Sequence, residues 1–434
     1  MNLPINGRIA IIDDQLQHAE PLMKVLSSRQ LPFTYFSGEV NFLPAENATK
    51  NDIRLLFLDI NLIDNSEHEN KVLKGSLLPV LKRVISEDNY PYVIIYWSRH
   101  DKHHKNLLET EIFGQELKDR KPIAYMSAMK SDFFNLDGTE TNDIEYKIDN
   151  LFNKIDMLMK KLPAYNYLLN WENKIHISAD KTLENVFSSY HKYGNWSDNA
   201  NYIISKLGKS FSGKLFESQN AENRIKSSYN ALNIIFDDTL EKRINNDTIN
   251  NSKKLKVSTT AKNLDTIYSI NKKLLTSEEI HPIHYSGSVL EILDKKVDFD
   301  FENLLNTCLK NKEKKAEIIK AWKKIWINVT PLCDTVQGKI IFHRIVRGLL
   351  IKNDFKDLSK IFYSSEAIFI SPAFTIEKDT YFILLDFREF FTLNTLGKSK
   401  NRKPLFRIRQ QLLAEIQSKL ARHISRQGVL FLDE

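Results

Sequence analysis

At 434 residues the chain is too long for one small domain and long enough to bury two or three cores. Hydrophobic residues make up 42%, yet charge interrupts every apolar run, which argues against a membrane-spanning helix, and Met1 to Arg8 lacks the basic-then-apolar order of a signal peptide. The formal charge of +7 is unevenly placed: residues 1–135 hold 16 Lys+Arg against 18 Asp+Glu, net −2, and the remainder, 46 against 37, carries +9. That basic excess would suit nucleic acid or an acidic partner, but its lysines are mixed with Glu, Asp and Asn as on solvated helices. Cys308 and Cys333 are the only cysteines, giving neither a disulfide framework nor zinc spacing. A reducing, cytoplasmic compartment is expected.

In chain order, residues 1–135 alternate short apolar strands with amphipathic stretches. Strands are predicted near 8–12, 31–36, 55–59, 92–97 and 122–127, and helices near 15–29, 72–86 and 105–118. This alternation predicts an α/β domain with a doubly wound parallel sheet, a flavodoxin-like order being one solution. From about 140 the strand signal stops. Ile144, Ile148, Leu151, Phe152, Ile155, Leu158, Met159 and Leu162 recur at helical spacing and predict a long helix ending at Pro163.

Residues 136–270 continue as a helical region. One helix is expected from Tyr167 to Phe187, another opens at Trp196 on a Ser197 cap, and a third covers 221–240. Residues 241–263, rich in Lys, Asn, Ser and Thr, read as a linker. Residues 271–434 change character. Clusters at Trp322–Val329, Ile340–Val346, Ile368–Ile370 and Tyr381–Leu385 predict short strands of a mixed α+β domain. A terminal helix closes it, with Ile408, Leu412, Leu413, Ile416, Leu420 and Ile424 on one stripe.

The chemistry concentrates on strand ends. Leu55-Leu56-Phe57-Leu58-Asp59 reads as a strand buried on both faces that delivers a carboxylate to the carboxyl edge of the sheet, where ligand sites of such sheets lie. Asp13 and Asp14 follow Ile9–Ile12, Ser98 follows Val93–Trp97, and Lys130 follows Ile123–Met126 after a short interval. Three carboxylates at one edge repel one another, and a hard divalent cation such as Mg²⁺ removes that difficulty.

An acidic pair, a central acid, a hydroxyl and a lysine on successive strand ends resemble the pattern of response-regulator receiver domains of two-component systems, over residues 1 to about 135. The resemblance implies that Asp14 and Asp59 bind Mg²⁺ directly, Asp13 through water, and Asn61 through its carbonyl. It implies that Asp59 is the phosphoacceptor for a histidine kinase or phosphotransfer protein, and that Ser98 and Lys130 hold phosphoryl oxygens. Such a protein is not an enzyme beyond self-phosphotransfer and autodephosphorylation. Two positions depart from the pattern: Ser131 stands where receivers place proline, and Ser127 where the aromatic switch residue is expected.

The remaining signals are weaker. Arg99-His100-Asp101-Lys102-His103-His104-Lys105 reads as a charged loop beside the pocket rather than a metal site. Cys333 with Asp334 is a candidate reactive thiol, though buried structural cysteine is the commoner role. Lys398, Lys400, Arg402, Lys403, Arg407 and Arg409 would suit phosphates, but they flank an amphipathic helix in a stretch read as basic helix over 397–422. No helix-turn-helix, Walker loop or nucleophile elbow is present. The ending Leu420–Gly428 is similar to tails that uncharacterised bacterial proteins pair with a receiver-like front, some linked to phage defence. The expected function is therefore a phosphorelay component or phosphoryl sink, as in a defence relay of the Detocs type. The alternatives are a degenerate receiver used as a scaffold and a regulator with a nucleic-acid output. The long helix after the receiver and the terminal helix are each candidate dimer surfaces.

Overall fold

The computed structural model describes residues 3–5, 7–46, 52–64, 66, 68–98, 101–135, 139–188, 195–246, 263–277, 283–293, 312–357, 365–396 and 401–425. Its first strand, β1 (Ile9–Ile12), is apolar and buried at every position. There follow α1 (Leu16–Ser28), β2 (Phe33–Phe36), β3 (Leu55–Asp59), α2 (Asn70–Val84), β4 (Val93–Ser98), α3 (Asp101–Asn106) and β5 (Ala124–Met129). These strands pair in parallel in the order β2-β1-β3-β4-β5.

Strand alternation divides the core into two layers. Ala10, Ile12, Leu56, Leu58, Ile94 and Tyr96 face α2 and the segment Leu107–Glu116. Ile9, Ile11, Leu55, Phe57, Val93 and Ile95 pack on the other face against α1 and the helix after β5. With both faces covered, β3 must be apolar throughout, and only its last residue carries charge. The helix predicted near 105–118 is α3 continuing into a π-helical turn over Leu107–Glu116.

The long helix expected from the spacing is α4 (Ile144–Lys161), with Ile148, Leu151, Phe152, Ile155 and Met159 buried. Pro163 begins α5 (Pro163–Ser188), as proline can because the first helical N–H has no partner to lose. A polar clamp fixes α5 at the amino edge of the sheet. Arg54, one residue before β3, donates from Nε and Nη2 to the Glu172 carboxylate at 3.0 and 3.1 Å, and the Tyr165 hydroxyl donates to the Arg54 carbonyl at 2.6 Å. Arg8, just before β1, adds a 3.4 Å ion pair to Glu172.

Next come α6 (Trp196–Ser212) and α7 (Ala221–Asn246). The cap of α6 is Asn195, whose side chain accepts from the Ser197 N–H at 3.0 Å, so the expected Ser197 cap is one position inside the helix. Helix α7 runs past the expected end at 240, and residues 247–262 of the expected linker lie outside the described residues. The chain divides into two compact units, residues 1–193 with 233–257, and residues 194–232 with 258–434.

The second unit contains α8 (Leu264–Leu275), β6 (Thr276–Ser277), β7 (Ser288–Ile292), β8 (Lys323–Asn328), β9 (His343–Lys352), β10 (Ile368–Ile370), β11 (Phe374–Ile376), β12 (Asp379–Leu393) and β13 (Arg402–Ile408). Its antiparallel sheet runs β10-β12-β9-β8-β7-β13-β6, with β11 on β12. The terminal helix Gln410–Ile424 buries Leu412, Leu413, Ile416 and Leu420 in one of its two core clusters. Ile318, from the helix Lys312–Ala321, belongs to the other.

Two expectations change here. Ile341 and Phe342 are exposed and precede β9 rather than belonging to it. Residues 402–408, read as part of a basic helix, form β13: Pro404 has no N–H for a helix interior, and the ladder shifts register between Pro404 and Phe406. Among the described residues, no helix is long and apolar enough to cross a membrane.

Candidate functional site

The parallel register determines what meets at the carboxyl edge. β1 and β3 are neighbours, so Asp13, just past β1, comes beside Asp59, the last residue of β3. β5 ends at Met129, registered with Ser98 across β4, which sets Lys130 at the same edge. Asp13, Asp59 and Lys130 are all buried, at 0, 3 and 4% exposure. The Lys130 ammonium donates to Asp59 Oδ2 at 2.5 Å and lies 3.3 Å from Asp13 Oδ2, the latter an ion pair outside hydrogen-bond alignment. The second oxygens are fixed by the backbone: Gln15 N–H donates to Asp13 Oδ1 at 2.9 Å and Asn61 N–H to Asp59 Oδ1 at 3.2 Å.

One ammonium for three acids leaves an excess of negative charge. Burial, then Asp59, pushes the Asp13 carboxyl up to about 7 against the opposing pull of Lys130. Burial also raises Asp14 and Asp59, more than Lys130 lowers them. Burial opposes the charged form of Lys130, but Asp59 and Asp13 together hold its pKa above the ordinary value.

Asp13, Asp14 and Asp59 each offer a carboxylate oxygen, all within 4.8 Å of one another. Asp14 Oδ1 is buried without a hydrogen-bond partner. A cluster of hard oxygen donors with an orphaned, buried carboxylate oxygen fits a small divalent cation. Asn61 lies beside them. Its side chain donates to the Ser66 carbonyl at 2.7 Å and accepts from the Ile63 N–H at 3.3 Å, so the amide shapes the following loop while the main chain stays next to Asp59. That loop is braced by Asp64, which accepts from Ser66 and pairs with His68 at 2.8 Å.

The structure thus brings together Asp13, Asp14, Asp59, Asn61 and Lys130, with the Ser98 backbone at the same edge. Cys333 and Asp334 belong to the second unit, on the short helix Leu332–Val336. Cys333 is exposed, its sulfur 3.8 Å from Asp334 Oδ1. Arg99 and His100 lie outside the described residues, while His104 is buried.

Two contributors escaped the sequence reading. The Tyr35 hydroxyl, from β2, donates to the Asp13 carbonyl at 2.7 Å and ties the acidic turn to the neighbouring strand. His18 on α1 is buried with its ring 4.8 Å from Phe134, which follows the Lys130 turn. A tyrosine in a short strand and a histidine on an apolar helix face carry no signal of their own until the register is known. Comparison with protein-family models, curated proteins and solved structures found no match to the chain.

Proposed function

We propose that residues 1–135, within the first unit, form a receiver that accepts a phosphoryl group on Asp59. The observation that supports this reading is the juxtaposition at one sheet edge of a buried Asp59, its Lys130 partner and the orphaned oxygen of Asp14. The strand order, with helices on both faces, is also that of a flavodoxin-like fold. Asp13, Asp14, Asp59 and the carbonyl of Asn61 would hold Mg²⁺. Bound there, the cation supplies charge neutralisation for carboxylates and phosphoryl oxygens alike.

In the reaction, a carboxylate oxygen of Asp59 attacks phosphorus as the P–N bond of a donor phosphohistidine breaks, and the imidazole leaves with the electron pair and takes up a proton. The Lys130 ammonium then pairs with a phosphoryl oxygen instead of a bare carboxylate. Its position needs no rearrangement over long distance, because it already touches the accepting group. Ser98 is assigned to a phosphoryl oxygen by its place at the end of β4. The role that follows is a component of a phosphorelay, acting as signal carrier or phosphoryl sink, with a histidine kinase or phosphotransfer protein as partner.

The test is intact mass after incubation with Mg²⁺ and acetyl phosphate. The wild type is expected to gain one phosphoryl group and Asp59→Asn none. No gain from acetyl phosphate or from a phosphorylated cognate kinase would sink the proposal. A second reading, a scaffold that never turns over phosphate, is favoured by exposed Ser127 and Ser131 where receivers carry an aromatic switch and a proline. It expects partner binding to be unchanged in Asp59→Asn.

A further inference from the structure

The loop that leaves β3 carries one more acid, Asp64, and builds hydrogen bonds around it. Asp64 Oδ1 accepts from the Ser66 N–H at 2.7 Å and from the Ser66 hydroxyl at 2.5 Å, and lies 2.8 Å from His68 Nε2. An ionised carboxylate only accepts, so the imidazole nitrogen is the donor. These donors hold the Asp64 carboxyl down to about 2, Ser66 first and His68 after it, although the residue is exposed. His68 Nε2 also lies 3.1 Å from the Ser66 hydroxyl. Acid and hydroxyl thus share one ring nitrogen, whereas a hydrolytic triad sets them on opposite nitrogens, so Ser66 is not an activated nucleophile.

Asp64 is tied to the Asp59 site in two ways. The first is a path of bonds. The Ser66 carbonyl accepts from Asn61 Nδ2 at 2.7 Å, and the Asn61 N–H donates to Asp59 Oδ1 at 3.2 Å, so His68, Asp64, Ser66, Asn61 and Asp59 are linked without a break. The second is charge. Burial is the chief cause that raises the Asp14 carboxyl, and the Asp64 carboxylate adds to it across the gap between the two acids. An acid that only closed a surface turn would need neither connection.

Distance separates its role from that of the inner acids. Among the described residues, Asp13, Asp14 and Asp59 are the acids that bring an oxygen each within 4.8 Å of one another, and Asp64 is outside that group. Asp13 Oδ2 and Asp14 Oδ1 are buried there without a hydrogen-bond partner, and Asp13 is wholly removed from solvent, so the inner set itself calls for a cation. Mg²⁺ gives up its waters reluctantly and keeps several when bound, and a carboxylate beyond the inner ligands acts on it through those waters and through its charge. Resting on the Mg²⁺ reading of this site, we propose that Asp64 is its outer acid and regulates how tightly the cation is held, with Ser66 and His68 as the positioning residues that keep Asp64 in place. The same charge opposes an incoming phosphoryl dianion, so one side chain weighs cation uptake against donor entry.

The experiment is titration calorimetry of Mg²⁺ into the full chain, without a phosphodonor, in low and in high salt. Asp64→Asn keeps an oxygen that can accept from Ser66 and His68 but removes the charge; Asp64→Ala removes both. Each is expected to weaken Mg²⁺ binding by about fivefold in low salt, and the deficit is expected to shrink in high salt. His68→Ala, which frees the acid without discharging it, is expected to cause a smaller loss that His68→Gln, with an amide donor, restores. Asp180→Asn, on α5, leaves the affinity unchanged. Melting curves in EDTA check that each variant is folded. Parent-like Mg²⁺ binding by Asp64→Asn, with loss in Asp64→Ala alone, overturns the proposal and leaves Asp64 a brace of the loop. A deficit equal in both salts overturns it too. If the parent binds Mg²⁺ and Asp14→Asn does not, while Asp64→Asn matches the parent, the outer acid alone is refuted; if the parent takes up no Mg²⁺ at millimolar concentration, the cation reading of the Asp59 site falls and the outer acid with it.

Discussion

Lys130 and Asp59, 71 residues apart in the chain, form a 2.5 Å ion pair from which solvent is almost wholly removed. The ammonium also lies 3.3 Å from Asp13, so it is the hub that lets two buried carboxylates coexist. Removing one partner of a buried pair strands the other in a medium that solvates it poorly.

Lys130→Met is therefore expected to lower stability by about 3 kcal/mol at neutral pH, measured by urea unfolding. Adding Asp59→Asn to that variant should cost less than the two single changes summed, because the stranded charge is gone. Strict additivity would show that the two groups do not interact energetically.

Magnesium is expected to raise the melting temperature of the wild type, and chelation to reverse it. A ligand at about 100 times its dissociation constant contributes roughly 2.7 kcal/mol. Asp14→Asn should remove most of this gain, since it takes away the charge of the acid whose Oδ1 is buried without a hydrogen-bond partner.

Acidity gives a second handle. The Asp13 carboxyl is held up to about 7, chiefly by burial, whereas in the unfolded chain an aspartate titrates near ~4. The folded state therefore keeps a proton that the unfolded state has released. This group's contribution makes the metal-free protein lose stability as pH rises from about 4 to about 7, and it flattens above. Asp13→Asn should remove that component, read as the difference between the two stability profiles.

At the other end of the strand, Arg54→Ala is expected to cost about 2 kcal/mol, since it deletes charge-assisted hydrogen bonds in a mostly buried setting. Hydrogen exchange should show faster opening of α5 around Tyr165 to Asn173, with the β3 amides less affected.

In the second unit, Gly348 lies on β9 opposite Leu385, where an added Cβ would run into the Leu384 carbonyl and the Leu385 side chain. Gly348→Val is expected to destabilise this sheet by about 1–3 kcal/mol, monitored by near-ultraviolet circular dichroism.

The first domain was largely legible because its central strands β1 and β3 are buried at every position and meet charge only at their carboxyl ends. Each apolar run then reads as a strand, and each terminal acid or lysine marks the same edge. Asp13, Asp14, Asp59 and Lys130 follow from that rule alone. What the sequence hid depends on partners far along the chain. Glu172 sits on a helix whose pattern gives no sign that it will meet Arg54, 118 residues earlier. The basic run before the terminal helix was misread because charge suggested a solvated helix, whereas Pro404 within it already forbade one and the ladder with β7 settles it as a strand.

The clamp and the carboxylate share one strand: Arg54 precedes Leu55 directly, and Asp59 is the last residue of the same five. That strand spans about 17 Å, and no loop lies along it to take up slack. The attachment of α5 and the central acid therefore sit at opposite ends of one short extended segment, held at a fixed spacing by the two neighbouring strands that pair with it.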